Sequence, residues 1–165
     1  MIVHTLKIPV SEYEYQLLTV MLGPSPYKAS YKNAIGKVIL SSYHNGDKKM
    51  STKNYNSSKY YEIQIPTSWV VRHGVTFIND QSIEDFIDTI DRTFKRELFA
   101  YIEGVLDFKE NHNKLNSNKI VAKMKDAACR FLEKKGFNED LLKFETVKKG
   151  YQRYIGQSKS IGRVA

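Results

Sequence analysis

The stretch that most constrains the fold is residues 81–105, QSIEDFIDTIDRTFKRELFAYIEGV. Ser82 is suited to cap a helix, and Glu84 and Asp85 follow in the first turn, where carboxylates stabilise the positive end of the helix dipole. Apolar residues recur at helical spacing, namely Ile83, Phe86, Ile87, Ile90, Phe94, Leu98 and Ile102. This period predicts a long amphipathic helix whose apolar stripe faces a core.

The N-terminal segment predicts a strand followed by a capped helix. Residues 1–10 alternate between apolar and polar side chains, and Pro9 ends the strand because it has no backbone donor. Ser11 with Glu14 three residues later forms a capping-box pattern. The helix that follows is expected to end at Gly23.

Between this helix and the long one, the sequence predicts five shorter segments. They are a helix at residues 30–43, a polar loop at 44–59, a strand at 60–66, a short helical turn at 67–73 and a brief strand at 75–78. Strands 2–8 and 60–65 are expected to share one small sheet on which the long helix packs.

The C-terminal third predicts a helical hairpin. Residues 107–117 are a polar break, Ser117 or Asn118 caps the first helix, Gly136 ends it and Asn138 caps the next. The predicted fold class is therefore α+β and mostly helical, with a small two- or three-stranded sheet packed on a long amphipathic helix. We expect an α+β scaffold domain at residues 1–106 and a basic helical subdomain at 107–165.

Charge is distributed unevenly along a chain of net charge +8. Residues 1–60 hold eight lysines and three acidic residues, residues 61–105 hold four basic and eight acidic residues, and residues 106–165 hold fourteen basic and seven acidic residues. Basic ends around an acidic middle predict a polyanion partner. The plain alternative is a domain that is basic for solubility.

No catalytic motif or cofactor motif is found, so the sequence predicts a protein that is not an enzyme and has no cofactor and no metal site. Cys129 is the only cysteine, and its place on the apolar side of a helix favours a core role. The acids Glu84, Asp88 and Asp91 are typical of a solvated helix face; the alternative is a metal-dependent nuclease. Without a signal sequence or a membrane span, a cytoplasmic location is expected.

The order of helix, glycine turn, short helix and polar-faced helix over residues 118–157 resembles helix-turn-helix DNA-binding units. In that family the last helix lies in the major groove of duplex DNA. The resemblance implies base contacts from Thr146, Lys149, Gln152 and Arg153, and phosphate contacts from Lys148 and Lys159. Gly150 lies inside this helix, where glycine is unfavourable. The alternative is a basic hairpin that packs on the long helix or on another subunit.

The first forty-three residues resemble the ribbon-helix-helix proteins of the Arc/MetJ type, in which paired strands of a dimer enter the major groove. The resemblance implies that Val3, Thr5 and Lys7 face DNA, that Leu6 and Ile8 face the core, and that Ser30 caps a helix at a phosphate. It also implies a homodimer. Residues 6–11 and 63–68 are similar to each other, so an alternative is pairing of both strands within one chain.

These patterns predict a DNA-binding regulatory or accessory protein, of the kind found in phages and mobile elements, that contacts duplex DNA through its basic C-terminal helices. No small-molecule substrate and no membrane are expected as partners. The alternative is a structural or assembly protein of virion type, whose basic ends contact acidic partner surfaces.

Overall fold

The structure, a computed structural model, describes residues 3–30, 32, 36–37, 59–68, 71, 80–107 and 117–161. The chain divides into two compact units, Met1–Arg92 and Thr93–Ala165. The fold is α+β and mostly helical, as predicted. The predicted division at residue 106 stays a prediction.

Unit 1 contains a three-stranded sheet. Its strands are β1 (Val3–Pro9), β2 (Tyr27–Lys28) and β3 (Tyr60–Pro66), in the order β1-β3-β2. β1 pairs with β3 antiparallel, which confirms the expected pairing of these two segments within one chain. β2 pairs with β3 parallel, and the sequence analysis predicts no strand at these two residues. A strand of two residues is too short to show an alternating pattern.

The two faces of the sheet differ in burial. Ile8, Tyr61, Ile63 and Ile65 point to the core and are at most 2% exposed. Leu6 is half-buried on the same face, opposite Ile63. Side chains alternate between faces along a strand, so the residues between these carry the polar outer face. The alternation predicted for β1 is therefore confirmed at Leu6 and Ile8.

Helix α1 (Glu12–Leu22) begins and ends where the sequence predicts. The Ser11 backbone N–H donates to Glu14 Oε2 at 2.6 Å, and the Glu14 N–H donates to Ser11 Oγ at 3.3 Å, which completes the capping box. Gly23 ends the helix with φ +112°, a conformation that favours glycine. Leu17 and Leu18 are fully buried.

Helix α2 (Asp80–Asp107) is the long amphipathic helix that the sequence predicts. Its stripe is buried as expected, since the residues of that pattern are at most 9% exposed: Ile83, Phe86, Ile87, Ile90, Phe94, Leu98 and Ile102. Ser82 is not its N-cap, because Asp80 and Gln81 are already helical. Phe99 and Leu106 are also buried, although they do not belong to the predicted apolar stripe.

Unit 2 contains the predicted C-terminal hairpin. α3 (Ser117–Lys135) is followed by Gly136 at φ +67°, a 3₁₀ turn (Glu139–Leu141) and α4 (Phe144–Ile161). Asn138 caps the 3₁₀ turn, where its side chain accepts from the Asp140 N–H at 3.0 Å. The prediction that Asn138 caps the short helix after Gly136 is therefore confirmed, and this helix is a single 3₁₀ turn.

The remaining predicted elements lie mostly outside the described residues. These are the helix at 30–43, the loop at 44–59, the turn at 67–73 and the strand at 75–78. None of the helices in the described ranges is long and apolar enough to span a bilayer.

Gly150 of α4 has a packing role that the sequence does not reveal. A Cβ atom at this position would lie 2.7 Å from Cζ of Phe99, which is 8% exposed. Tyr151 and Tyr154 hold the Phe99 ring, with centroid distances of 6.0 and 5.6 Å. Glycine is therefore required by the close approach of α4 to this ring, despite its low helix propensity.

We expect Gly150→Ala to lower the free energy of unfolding by up to about 2 kcal/mol. Overpacking costs about 1–3 kcal/mol, whereas the better helix propensity of alanine contributes about 1 kcal/mol. Gly156→Ala is the matched control, because its Cβ would meet no atom within 4 Å, and it should stabilise the same helix. Urea unfolding of both variants checks this, and equal stabilisation by both would contradict the packing role.

Candidate nucleic-acid interface

Helix α4 presents one buried face and one polar face. Val147 and Tyr151 are 3% and 6% exposed and anchor the helix to the core of unit 2. Residues on the opposite side are exposed, namely Thr146, Lys149, Gln152 and Arg153. The apolar spacing of the helix thus sets the direction of its polar side chains.

A groove of about 280 Å³ opens between this polar face and the C-terminal part of α2. Three of its lining side chains are cations, and none is acidic. The full set is Lys95, Leu98, Phe99, Leu142, Thr146, Val147, Lys149, Gly150 and Arg153. We call this the cationic groove. Its chemistry is positive charge above an apolar floor.

The structure brings three of the predicted DNA-binding residues together and separates the others. Thr146, Lys149 and Arg153 line the cationic groove, because residues three and four apart lie on one helix face. Lys148, which is half-buried, and Gln152 lie outside the lining. Lys159 belongs to α4, but its side chain is outside the described part of the structure.

Lys95 also lines the cationic groove, although it is not among the site residues predicted from the sequence. It lies on α2, four residues before Phe99, and the sequence shows only that it falls outside the apolar stripe. Its place beside Lys149 and Arg153 depends on how α2 and α4 pack, which periodicity does not reveal. The one indication of this role in the sequence is that Lys95 lies one helical turn before the aromatic residue Phe99.

The predicted DNA-facing residues of β1 lie in unit 1. Thr5 is exposed on the outer face opposite Gln64, and Lys7 is exposed opposite Glu62. Lys7 Nζ lies 3.5 Å from Glu62 Oε1, so its charge is partly neutralised. The side chain of Val3 is outside the described residues. Ser30 Oγ accepts from the Lys32 N–H at 3.2 Å, as a capping residue does.

A second groove of unit 2, of about 340 Å³, has balanced charge. It is lined by the cations Lys125 and Lys143, by the acids Glu139 and Asp140, and by Cys129. Burial raises the pKa of the Cys129 thiol, and a hydrogen bond with Glu139 raises this pKa further. A raised pKa disfavours the thiolate, which is the reactive form of cysteine. This groove therefore offers neither a net charge nor an activated nucleophile.

The acids of α2 make structural contacts. Tyr13 Oη donates to Asp91 Oδ1 at 2.5 Å, and this partly buried hydrogen bond contributes to the raised pKa of Tyr13, whose largest cause is desolvation. In the parts of the chain that the structure describes, no group of three or more His, Cys, Asp or Glu side chains is placed to hold a metal ion.

Comparison with known proteins gives no match for this chain, whether to a protein-family model, to a curated protein or to a solved structure.

Proposed function

We propose that this protein binds duplex DNA through the polar face of α4, as a regulatory or accessory protein of a phage or mobile element. The observation that carries the proposal is the convergence of Lys149, Arg153 and Lys95 at one groove whose lining includes no acidic side chain. Lysine and arginine are the side chains that neutralise backbone phosphates. The strongly basic C-terminal third supports the same partner.

Two of these cations are available for a ligand. Within the described ranges no ion pair involves Lys149 or Arg153, whereas Lys135 lies 2.8 Å from Glu97 and Arg130 lies 3.0 Å from Asp126. Side chains that already have a carboxylate partner gain less from a phosphate, because that partner must first be displaced. A phosphate that binds Lys149 or Arg153 does not have to displace a carboxylate first.

The order of side chains on α4 favours a double-stranded partner. Arg153 and Lys149 have the donor geometry that reads guanine, and Gln152 has the amide that reads adenine in the major groove. Tyr151 is 6% exposed and contacts Phe99, so it offers no free face on which an unpaired base can stack. Stacking is the main contact of single-strand binders.

A structural or assembly role is the second candidate, and two exposed apolar side chains favour it. Val71 is 78% exposed and Tyr60 is 49% exposed, and both belong to unit 1. Tyrosine is one of the residue types that are enriched at protein–protein interfaces. This role predicts that charge changes on α4 leave assembly intact.

The test is equilibrium binding of Lys149→Ala and Arg153→Ala to a mixed-sequence duplex at several salt concentrations. Each variant is expected to bind about 10-fold more weakly or worse, because a charge-assisted hydrogen bond is worth about 1.5–3 kcal/mol. The slope of log K against log salt should fall by about one for each phosphate contact removed.

Lys125→Ala is the matched control for these variants. It removes the same charge from an exposed lysine of α3 that lines the second groove. We expect it to keep the salt slope of the parent protein. If all three variants weaken binding equally, the interaction depends on total charge alone and the assignment to α4 is wrong.

A further inference from the structure

The sheet of unit 1 has an edge at β1, because its strand order is β1-β3-β2. The Val10 N–H donates to the Lys59 carbonyl at 3.1 Å, one position beyond the last pair of the β1–β3 ladder. In an antiparallel ladder, residues that bond to the partner strand alternate with residues that do not. The even-numbered residues of β1 therefore bond to β3. The N–H and C=O groups of its odd-numbered residues point outward, namely those of Val3, Thr5 and Lys7.

The other side of β3 gives the same assignment. The Glu62 N–H donates to Ser25 Oγ at 3.0 Å, so Glu62 faces β2. The Gln64 carbonyl accepts from the Ala29 N–H at 2.9 Å, so Gln64 faces β2 as well. The odd-numbered residues of β3 consequently face β1, where they pair with its even-numbered residues. In the part of the chain that the structure describes, no strand pairs with the outward groups of β1. Such an edge is a template for pairing with another chain.

The core face of the sheet is also open along this edge. Ile8 is 1% exposed, whereas Leu6 is half-buried and His4 is exposed, although alternate residues of a strand point to the same face. A further strand beside β1 would extend this face and cover Leu6. Lys7 does not block the approach, because its Nζ lies 3.5 Å from Glu62 Oε1 on the neighbouring strand β3.

The outward edge of β1 is complementary to itself. In an antiparallel pair with Thr5 opposite Thr5 of a second copy, Val3 of each copy lies opposite Lys7 of the other. All N–H and C=O groups of these three residues are then bonded, and no like charges are opposite each other. A register shifted toward Pro9 would place Val3 opposite a residue that has no N–H. A shift in the other direction would extend past the start of β1.

We infer that this chain pairs with a second copy of itself through β1, with Thr5 at the two-fold axis. The pairing joins two three-stranded sheets into one sheet of six strands, because β1 is already bonded to β3 on its inner side. A two-fold contact uses the same edge on both copies, so it closes and does not propagate. The pairing does not depend on the proposed DNA binding, which uses α4 of unit 2.

Sedimentation equilibrium of the unaltered chain measures the association. We expect the mass to rise from 19.1 kDa toward twice this value between about 10 and about 500 µM chain, with a Kd on the order of 100 µM or lower. Salt at about 0.3 M screens the repulsion between two chains of net charge +8. A mass that stays at 19.1 kDa at about 500 µM would overturn the inference.

Thr5→Pro removes the N–H at the centre of the pair and no bond to β3, because this N–H points outward. Proline is tolerated at such positions of an edge strand. We expect association to be at least about tenfold weaker in this variant, whereas Thr5→Val keeps the N–H and should stay within about threefold of the parent protein. Urea unfolding checks that both variants are folded. Undiminished association of a folded Thr5→Pro protein would show that another surface joins the copies.

Disulfide formation tests the register without the proline variant. Cys129 is the only cysteine, so the background is Cys129→Ser. Thr5→Cys then places two thiols across the axis with their Cα atoms about 5.5 Å apart, a distance that a disulfide spans. Lys7→Cys is the matched control, because its two copies are about 13 Å or more apart in this register. We expect mild oxidation to crosslink only Thr5→Cys. Equal crosslinking of both variants, or of neither, would overturn the pairing.

Discussion

Phe94→Ala is expected to lower the free energy of unfolding of unit 2 by about 3–5 kcal/mol. Phe94 is fully buried and contacts Phe131 edge-on at 5.7 Å and Phe137 at 5.1 Å between ring centroids. These two rings come from α3 and from the turn that follows it. Removing Phe94 therefore leaves a cavity where α2, α3 and the turn meet.

Urea unfolding followed by far-UV circular dichroism measures this loss, and hydrogen exchange assigns it to residues 93–161. Arg96→Ala is the matched control, because Arg96 is exposed two positions along the same helix. It should change the stability by no more than about 0.5 kcal/mol. A similar small effect for Phe94→Ala would show that this aromatic cluster is not the core of unit 2.

Tyr61→Ala is expected to destabilise unit 1 by a similar amount, about 3–5 kcal/mol. Tyr61 is fully buried in β3, contacts Tyr15 at 6.0 Å between ring centroids, and donates from Oη to the Gly23 carbonyl at 2.7 Å. Tyr61→Phe keeps the ring and removes only this hydrogen bond, so it should cost about 1 kcal/mol. Tyr60→Phe on the exposed neighbour is the control.

Tyr61 also makes the free energy of unfolding depend on pH in the alkaline range. Burial raises the pKa of Tyr61 above its ordinary value of about 10, so the unfolded chain loses this proton first as the pH rises. The contribution of Tyr61 is therefore complete below about pH 10 and is lost as the pH rises through the folded-state pKa. Unfolding measured from pH 9 to 11 should show falling stability, with a shallower fall in Tyr61→Phe. If the free energy of unfolding of Tyr61→Phe falls with pH as steeply as that of the parent protein, this role of Tyr61 is contradicted.

Much of the fold follows from local sequence rules. The burial of α2 follows from the spacing of its apolar residues, and the start of α1 follows from Ser11 and Glu14, because both depend on neighbours along the chain. β2 could not be predicted in this way, because Tyr27 and Lys28 become a strand only through pairing with β3. A segment of two residues is too short to contain a sequence pattern that predicts pairing with a distant strand.

The candidate site could be predicted only in part, for the same reason. The polar face of α4 follows from helical spacing, which brings Thr146, Lys149 and Arg153 together. Lys95 and the apolar floor depend on the close packing of α4 against Phe99, which Gly150 permits. From sequence this glycine is only an unfavourable helix residue, and its partner lies about fifty positions earlier in the chain.

The measurement that tests the central claim most directly is binding of the unaltered protein to a mixed-sequence duplex between 50 and 200 mM salt. We predict binding whose log K falls linearly with log salt, because each phosphate contact releases counterions. The double variant Lys149→Ala with Arg153→Ala should lose about two units of that slope. Absence of binding at about 50 mM salt, or a slope that the double variant leaves unchanged, would contradict DNA binding through α4.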